Sequence, residues 1–220
     1  MQLARIAELL APFLAPAEDA SEAASTALTA CDLNLISTYI DLLLRWNARI
    51  NLTAIRNEEE IVTRHFGESL FAARQLFPDA SRRDARTSVA DVGSGAGFPG
   101  IPIKLWAPGI ALTLIESNHK KAAFLREVGR ALTLTNIDIQ NVRAENLDRT
   151  FDVVTFRAVE RFADILPVAA RLVASSGRLV LLISRAQVEQ AYTVLAELSW
   201  EEPIPVPESE IRVLLVAKCI

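Results

Sequence analysis

The stretch DVGSGAGFPG, residues 91–100, contains four of the eight glycines in this 220-residue chain. Glycine adopts backbone conformations with positive φ and lets other groups approach the backbone, at a cost in conformational entropy. The apolar run SVADV, residues 88–92, predicts a strand that ends at these glycines, and Pro99 is typical of the first turn of a helix. Ligands of α/β sheets bind beyond the carboxyl ends of strands, so this order favours a ligand loop over a plain turn.

Segments beyond the glycines alternate between strand and helix patterns. Short apolar runs predict further strands over residues 110–116, 136–140, 151–156, 177–184 and 211–218. Helical patterns occupy residues 117–132, 161–174 and 185–198. Strands that alternate with helices form mostly parallel sheets covered on both faces, so we predict an α/β fold for residues 81–220.

Residues 1–80 carry helical rather than strand periodicity. Asp32 is the predicted N-cap of one helix, and Gly67 is expected to interrupt or re-aim another that begins after Asn57. The polar stretch 78–87 is typical of a linker. We therefore predict an N-terminal helical region over residues 1–80 that joins the α/β domain in one compact unit.

The composition is ordinary for a globular protein, with 51% hydrophobic and 23% charged residues. A net charge of −4 and a pI of about 5.3 argue weakly against a nucleic-acid partner, although they are compatible with a local basic face. Cys31 and Cys219 have no metal-ligand spacing, and the sequence shows neither a secretory start nor an apolar run long enough to span a bilayer. We expect a cytoplasmic protein with no metal site and no membrane association.

Two nucleoside cofactors fit the glycine-rich segment. The dinucleotide pattern G-x-G-x-x-G is met by Gly95, Gly97 and Gly100, and a G-x-G-x-G pattern is met by Gly93, Gly95 and Gly97. Asp91 places a carboxylate where a pyrophosphate would be repelled, and Pro99 removes a backbone N–H that a phosphate would use. Both residues favour a sulfonium-bearing ligand such as S-adenosyl-L-methionine. Glu116, at the end of the second strand, suits the ribose hydroxyls of either cofactor and does not distinguish them.

With these residues in place, the chain resembles the class I S-adenosylmethionine-dependent methyltransferases, and in particular the RsmG (GidB) family of 16S rRNA guanine-N7 methyltransferases. The resemblance covers roughly residues 30–185 and is carried by NLTAIRNEEEIVTRHFGESL (51–70), VADVGSGAGFPGIPIKL (89–105), LIESNHKKAAFLREV (114–128), VRAENL (142–147) and FDVVTFRAV (151–159). It implies a Rossmann-like fold with a mostly parallel central sheet, helices on both faces and an N-terminal helical extension.

The resemblance also implies roles for individual residues. Gly93 and Phe98 would contact the cofactor, Glu116 would hold its ribose, and Ala144 with Glu145 would lie beside its adenine. Arg157 would line the pocket. With the loop pattern, the expected cofactor-binding set is Asp91, Gly93, Gly95, Gly97, Phe98, Glu116, Ala144, Glu145 and Arg157. The candidate residues for positioning the substrate are Arg157, Arg64 and His65.

The implied reaction needs no catalytic base, because guanine N7 carries a lone pair and no proton. The chain reads TFRA where amino-group methyltransferases carry N-P-P-[FY], and it has no Pro-Cys nucleophile, which agrees with transfer to a ring nitrogen. The implied partner is 16S rRNA in the small ribosomal subunit, bound by a monomer. The helix face with Lys120, Lys121, Arg126 and Arg130 is either solvated or an RNA contact.

Several features leave other functions open. The family usually carries Asp where this chain has Glu68, and LLISRA lacks a lysine expected after the fifth strand. The segment EEPIPVPESE, residues 201–210, is acidic. A methyltransferase acting on a small molecule or a protein, an NAD-dependent oxidoreductase and a non-catalytic binding module therefore remain as alternatives.

Overall fold

A computed structural model of the chain describes residues 1–15, 28–78, 86–157 and 162–219. Its centre is an eight-stranded sheet in the order β3-β2-β1-β4-β5-β8-β6, with β7 paired to β8. The strands are β1 (Ser88–Val92), β2 (Ala111–Ile115), β3 (Ile137–Gln140), β4 (Phe151–Arg157), β5 (Val173–Ser184), β6 (Ser199–Trp200), β7 (Ile204–Pro205) and β8 (Arg212–Lys218).

The first five strands of this order are parallel, and the strand order reverses between β1 and β4. Strand β1 lies at the centre because Val89, Ala90 and Val92 bury apolar side chains on both faces of the sheet. Strand β8 runs antiparallel to β5, and Arg212 pairs with Ser184. The amino end of β8 therefore lies at the same edge as the carboxyl ends of the parallel strands, where a ligand site is expected.

Helices cover the sheet and form the N-terminal region. They are α1 (Leu3–Leu14), α2 (Ala30–Asn47), α3 (Glu58–Glu60), α4 (Glu68–Leu76), α5 (Gly100–Trp106), α6 (His119–Ala131), α7 (Phe162–Arg171) and α8 (Val188–Val194). A π-helix, Ile61–Gly67, joins α3 to α4. Phe66 and Tyr39 lie in the N-terminal helical region. They share one hydrophobic core with Phe98, between β1 and α5, and with Phe124 of α6. The α/β fold and its N-terminal helical extension were predicted from the sequence and are confirmed.

Local details differ from the sequence predictions. Thr29, not Asp32, is the N-cap of α2, because the Thr29 hydroxyl accepts from the Asp32 N–H and the Asp32 carboxylate accepts from the Thr29 N–H. At Gly67 the π-helix ends and α4 begins, so the helical segment changes type there and does not break. A Cβ there would lie 2.6 Å from the Phe13 ring, so glycine is needed for close packing against α1.

The C-terminal half also departs from its predicted boundaries. Helix α7 ends at Arg171 and β5 begins at Val173, earlier than expected, because residue 173 already pairs with Phe151. The two-residue strands β6 and β7 were not predicted. Most of the expected linker lies outside the described residues. Across the described ranges, no helix is both long enough and apolar enough to cross a bilayer.

Candidate functional site

The glycine loop, residues 93–99, connects β1 to α5 at the reversal of strand order. Gly93, Gly95 and Gly97 have φ values of 65°, 56° and 87°, a region that L side chains rarely adopt. The N–H groups of Gly93 and Ser94 donate to the Ile115 carbonyl at 2.9 and 3.1 Å. These bonds fix the start of the loop against the carboxyl end of β2.

Glu116 follows β2 and faces the loop. Its Oε2 accepts from the Gly95 N–H at 2.9 Å, and its Oε1 accepts from the Asn118 N–H at 2.7 Å. Each carboxylate oxygen has about two acceptor sites, so each retains one for a ligand hydroxyl. The side chain is largely buried yet lines the cavity described next. Glu116 can therefore brace the loop and bind a diol at the same time.

A cavity of about 510 Å³ opens beside the loop, within the range of about 300–1,000 Å³ typical of ligand pockets. Five of the nine expected cofactor-binding residues line it, namely Gly93, Gly95, Phe98, Glu116 and Arg157. His65, an expected substrate-positioning residue, also lines it. The remaining lining residues are Leu52, Thr53, Ser94, Ala96, Ser117 and Lys121.

Asp91 lies beneath the loop, which corrects the expectation that its carboxylate sits at the pocket rim. It is fully buried, and its Oδ2 accepts from the Gly100 N–H at 3.2 Å. A Cβ at position 100 would lie 2.7 Å from that oxygen, which explains the glycine. Burial raises the pKa of Asp91 to about 7, opposed by the Gly100 hydrogen bond. Asp91 fixes the start of α5 and does not line the cavity.

Gly97 also serves the packing of the loop and is not among the lining residues. A Cβ there would collide with the Tyr39 hydroxyl and with the Ile101 side chain. Together with its φ of 87°, this close approach explains why position 97 is glycine.

Ala144 and Glu145 begin a 3₁₀ turn, Ala144–Asn146, that follows β3. Arg171 at the end of α7 donates from Nη2 to the Glu145 carbonyl at 2.9 Å and to the Ala144 carbonyl at 3.4 Å. Asn141 donates to the Glu116 carbonyl at 2.8 Å, which links this connection to the end of β2. The pair lies outside the cavity lining, so its expected contact with adenine stays a prediction.

His65 is carried by the π-helix and faces the loop from the N-terminal region. Its ring stacks on Phe98, with 4.8 Å between centroids, and its Nε2 is 2.8 Å from the Thr53 hydroxyl. Burial, together with the positive charges of Arg157, Arg64 and Arg212, lowers the pKa of His65 to about 3. The imidazole is therefore neutral near pH 7.

Arg157 ends β4 and forms a buried ion pair with Glu68 of α4. The distance between Arg157 Nη2 and Glu68 Oε2 is 3.3 Å, and among the described residues neither Glu68 Oε2 nor Arg157 Nη1 has a hydrogen-bond partner. Burial lowers the pKa of Arg157 to about 10, and Glu68 opposes that shift. Arg157 thus stays charged at neutral pH and keeps free hydrogen-bonding capacity.

Arg212, at the start of β8, was missed by the sequence analysis. Its charge acts on both His65 and Arg157, as does that of the exposed Arg64. Its Nε is buried and has no hydrogen-bond partner within the described part of the chain. Strand β8 was predicted, but its antiparallel direction brings Arg212 to this edge, and that direction was not read from the sequence.

The charges around His65 are unequal. Arg64, Arg157 and Arg212 supply three positive charges, against two carboxylates that act on Arg157: Glu68, which forms an ion pair with it, and Asp91. The protein as a whole is acidic, with a net charge of −4. A local positive excess next to a cavity suits an anionic ligand. Within the described parts of the chain, no group of three or more His, Cys, Asp or Glu residues is placed to hold a metal ion.

Sequence comparison relates the chain to one family. A family model described as rRNA small subunit methyltransferase G (GidB) matches residues 32–204. The chain is 45% identical to the ribosomal RNA small subunit methyltransferase G of Xylella fastidiosa (strain 9a5c) over 144 residues, 64% of each chain. The match therefore spans less than two thirds of that relative. The protein of the same name from Roseiflexus castenholzii (strain DSM 13941 / HLO8) is 38% identical over 191 residues, 81% of this chain and 79% of the relative.

Solved structures share the architecture at much lower identity. The magnesium protoporphyrin IX methyltransferase of Synechocystis PCC 6803, solved with bound SAM, superimposes with a TM-score of 0.63 at 15% identity. The superposition covers 88% of this chain and 99% of that protein. At this identity the likeness concerns the fold alone, which is Rossmann-like.

Proposed function

This chain belongs to the rRNA small subunit methyltransferase G (GidB) family, and we propose from this premise that it methylates N7 of a guanine in 16S rRNA with S-adenosylmethionine as donor. The observation that carries the proposal is the composition of one cavity. The glycine loop and Glu116 line it together with His65 and Arg157. A nucleoside cofactor would find a hydrogen-bond acceptor for its ribose in Glu116, and an anionic nucleic acid would find a positive charge in Arg157.

The residues present fit the cofactor. Glu116 retains acceptor capacity for two ribose hydroxyls, because each of its oxygens accepts one backbone N–H. Gly93 and Gly95 allow a ligand to approach the backbone, and the Phe98 ring offers an apolar wall. When bound, S-adenosylmethionine supplies a methyl group activated by its sulfonium.

The chain's residues would act by orientation and electrostatics. Guanine N7 carries no proton, so the reaction needs no general base. His65 agrees with this, since a pKa of about 3 makes it a weak base that stays neutral. Arg157 and Arg212 would hold the guanine and its flanking phosphate, because guanidinium groups bind both base edges and phosphates.

We propose further that the substrate is 16S rRNA within the small ribosomal subunit, in the cytoplasm, and that the chain acts as a monomer. Lys121 lines the cavity, and Lys120 precedes it in the first turn of α6, so a basic surface continues from the cavity. N7 lies on the major-groove edge, which is deep and narrow in an RNA helix. The target guanine would therefore lie in a loop or be splayed from its stack.

A fractionation experiment tests this function. Purified protein is incubated with methyl-labelled S-adenosylmethionine and small ribosomal subunits that lack the modification. Label in the 16S rRNA fraction is the expected result, and label confined to ribosomal proteins or small molecules would contradict it. The Glu116→Ala variant is the negative control, and Arg178→Ala, changed where β5 pairs with Lys218 at the end of β8 remote from Arg212, should label as the wild type does.

A further inference from the structure

Tyr39 of α2 reaches from the N-terminal region into the glycine loop. Its hydroxyl donates to the Ala96 carbonyl, and its ring stacks on Phe98 with centroids 5.3 Å apart and an interplanar angle of 3°. Both Tyr39 and Ala96 are buried. Burial also raises the pKa of Tyr39, so the hydroxyl stays protonated and able to donate.

The glycine loop leaves space for the Tyr39 hydroxyl. Gly97 has no side chain where the Tyr39 hydroxyl enters, since a Cβ would collide with that oxygen. Ala96 and Phe98, on either side of Gly97, both line the cavity. Tyr39 itself is not among the lining residues, so any effect on a ligand must act through the loop.

The stacked rings continue to His65, an expected substrate-positioning residue. Phe98 stacks on both Tyr39 and His65, with 4.8 Å between the Phe98 and His65 centroids. Phe66 packs edge-on against both Tyr39 and Phe98, at 5.2 and 5.1 Å. Three aromatic side chains of the N-terminal region, Tyr39, His65 and Phe66, therefore pack against Phe98.

We propose that Tyr39 is a positioning residue that holds the glycine loop in its cofactor-binding conformation. This inference rests on the proposed function, since it assumes that the loop binds S-adenosylmethionine. The affinity of a site falls in proportion to the fraction of protein in the competent conformation. Removing the hydroxyl leaves the buried Ala96 carbonyl without its partner and lowers that fraction.

Direct binding of S-adenosylhomocysteine, measured by calorimetry, tests the proposal without turnover. Tyr39→Phe keeps the ring stack and removes one hydrogen bond, so we expect the Kd to rise about 3- to 10-fold. Tyr39→Leu removes the stack as well and should weaken binding further. Leu43→Ala, one turn further along α2 and buried in the same core, is the matched control for lost stability. It should leave the Kd within about twofold.

Kinetics give a second measurement. The KM for the cofactor should rise in Tyr39→Phe, while the KM for the ribosomal subunit stays unchanged. A Kd within twofold of the wild type, or an equal weakening in Leu43→Ala, would overturn the positioning role. A wild-type protein that fails to bind S-adenosylhomocysteine would instead refute the proposed function, and with it the inference.

Discussion

The guanidinium of Arg157 lies 3.3 Å from the carboxylate of Glu68, and the two side chains are only 6% and 4% exposed. Arg157 ends β4 of the sheet, and Glu68 begins α4 of the N-terminal region. The pair thus joins the two parts of the fold at the edge of the cavity. Because the pair is buried, removing either side chain would leave an uncompensated charge in the protein interior.

Glu68→Ala should lower the free energy of unfolding by about 3–5 kcal/mol, because it leaves the Arg157 charge buried without its partner. Urea titration measures this. Glu201→Ala removes the partner of Lys218 in a solvent-exposed ion pair and should change the free energy by no more than about 0.5 kcal/mol. Equal losses of unfolding free energy in the two variants would show that the stabilisation does not depend on burial of the Arg157–Glu68 pair.

Glu116→Ala should weaken the binding of S-adenosylhomocysteine by about 10- to 100-fold, because hydrogen bonds to a charged group contribute about 1.5–3 kcal/mol. Loss of the Gly95 and Asn118 hydrogen bonds would add to the effect by loosening the loop. Calorimetry gives the Kd. Glu145→Ala, in the turn after β3, should have a smaller effect, since Glu145 does not line the cavity. A Glu116→Ala variant with wild-type affinity would remove Glu116 from the cofactor site.

Asp91 and His65 should produce opposite dependences of stability on pH. The folded pKa of Asp91 is raised from 3.8 to about 7, so its contribution to stability is complete below about pH 4 and is lost by pH 7. The folded pKa of His65 is lowered from 6.5 to about 3, so its contribution is complete above about pH 6.5 and is lost towards pH 3. Between about pH 4 and 6.5 the two contributions largely cancel.

Variants separate these contributions. Asp91→Asn should leave a stability that rises with pH, by up to about 1.4 kcal/mol per pH unit between pH 4 and 6.5. His65→Gln should leave a stability that falls with pH by a similar amount. Urea unfolding at pH 4.5, 5.5 and 6.5 measures both slopes. Parallel profiles for the two variants would show that these groups do not carry the assigned pKa shifts.

Arg212→Ala should raise the KM for the ribosomal subunit and leave the Kd for S-adenosylhomocysteine unchanged. If Arg212 contacts one phosphate, the slope of log K against log salt should become less steep by about 1. Arg178→Ala, at the other end of the β5–β8 pairing from Arg212, is the charge-matched control. An unchanged slope in Arg212→Ala would place the RNA phosphates elsewhere.

Local patterns explain what could be predicted from the sequence. Strand β1, the glycine loop and the start of α5 are consecutive in the chain, so spacing and residue type suffice to place them. The strand over residues 211–218 was recognised by its apolar run in the same way. The fold class follows from such segments taken together, because alternating strands and helices have few ways to pack.

Long-range contacts explain what was missed. Asp91 was expected at the pocket rim, but its strand is central and the carboxylate points beneath the loop to Gly100. The roles of Tyr39 and Arg212 depend on α2 crossing the loop and on β8 running antiparallel to β5. Neither arrangement leaves a local signature. The π-helix that carries His65 likewise has no residue pattern that distinguishes it from an α-helix.

The measurement that tests the central claim most directly is the identity and position of the methylated nucleoside. Small ribosomal subunits from a strain lacking this protein are methylated in vitro, the 16S rRNA is digested, and the modified nucleoside is identified and mapped by mass spectrometry. N7-methylguanosine at a single 16S position is the result that we predict. Methylation at another atom or on another molecule, or no methylation by a protein that binds the cofactor tightly, would contradict it.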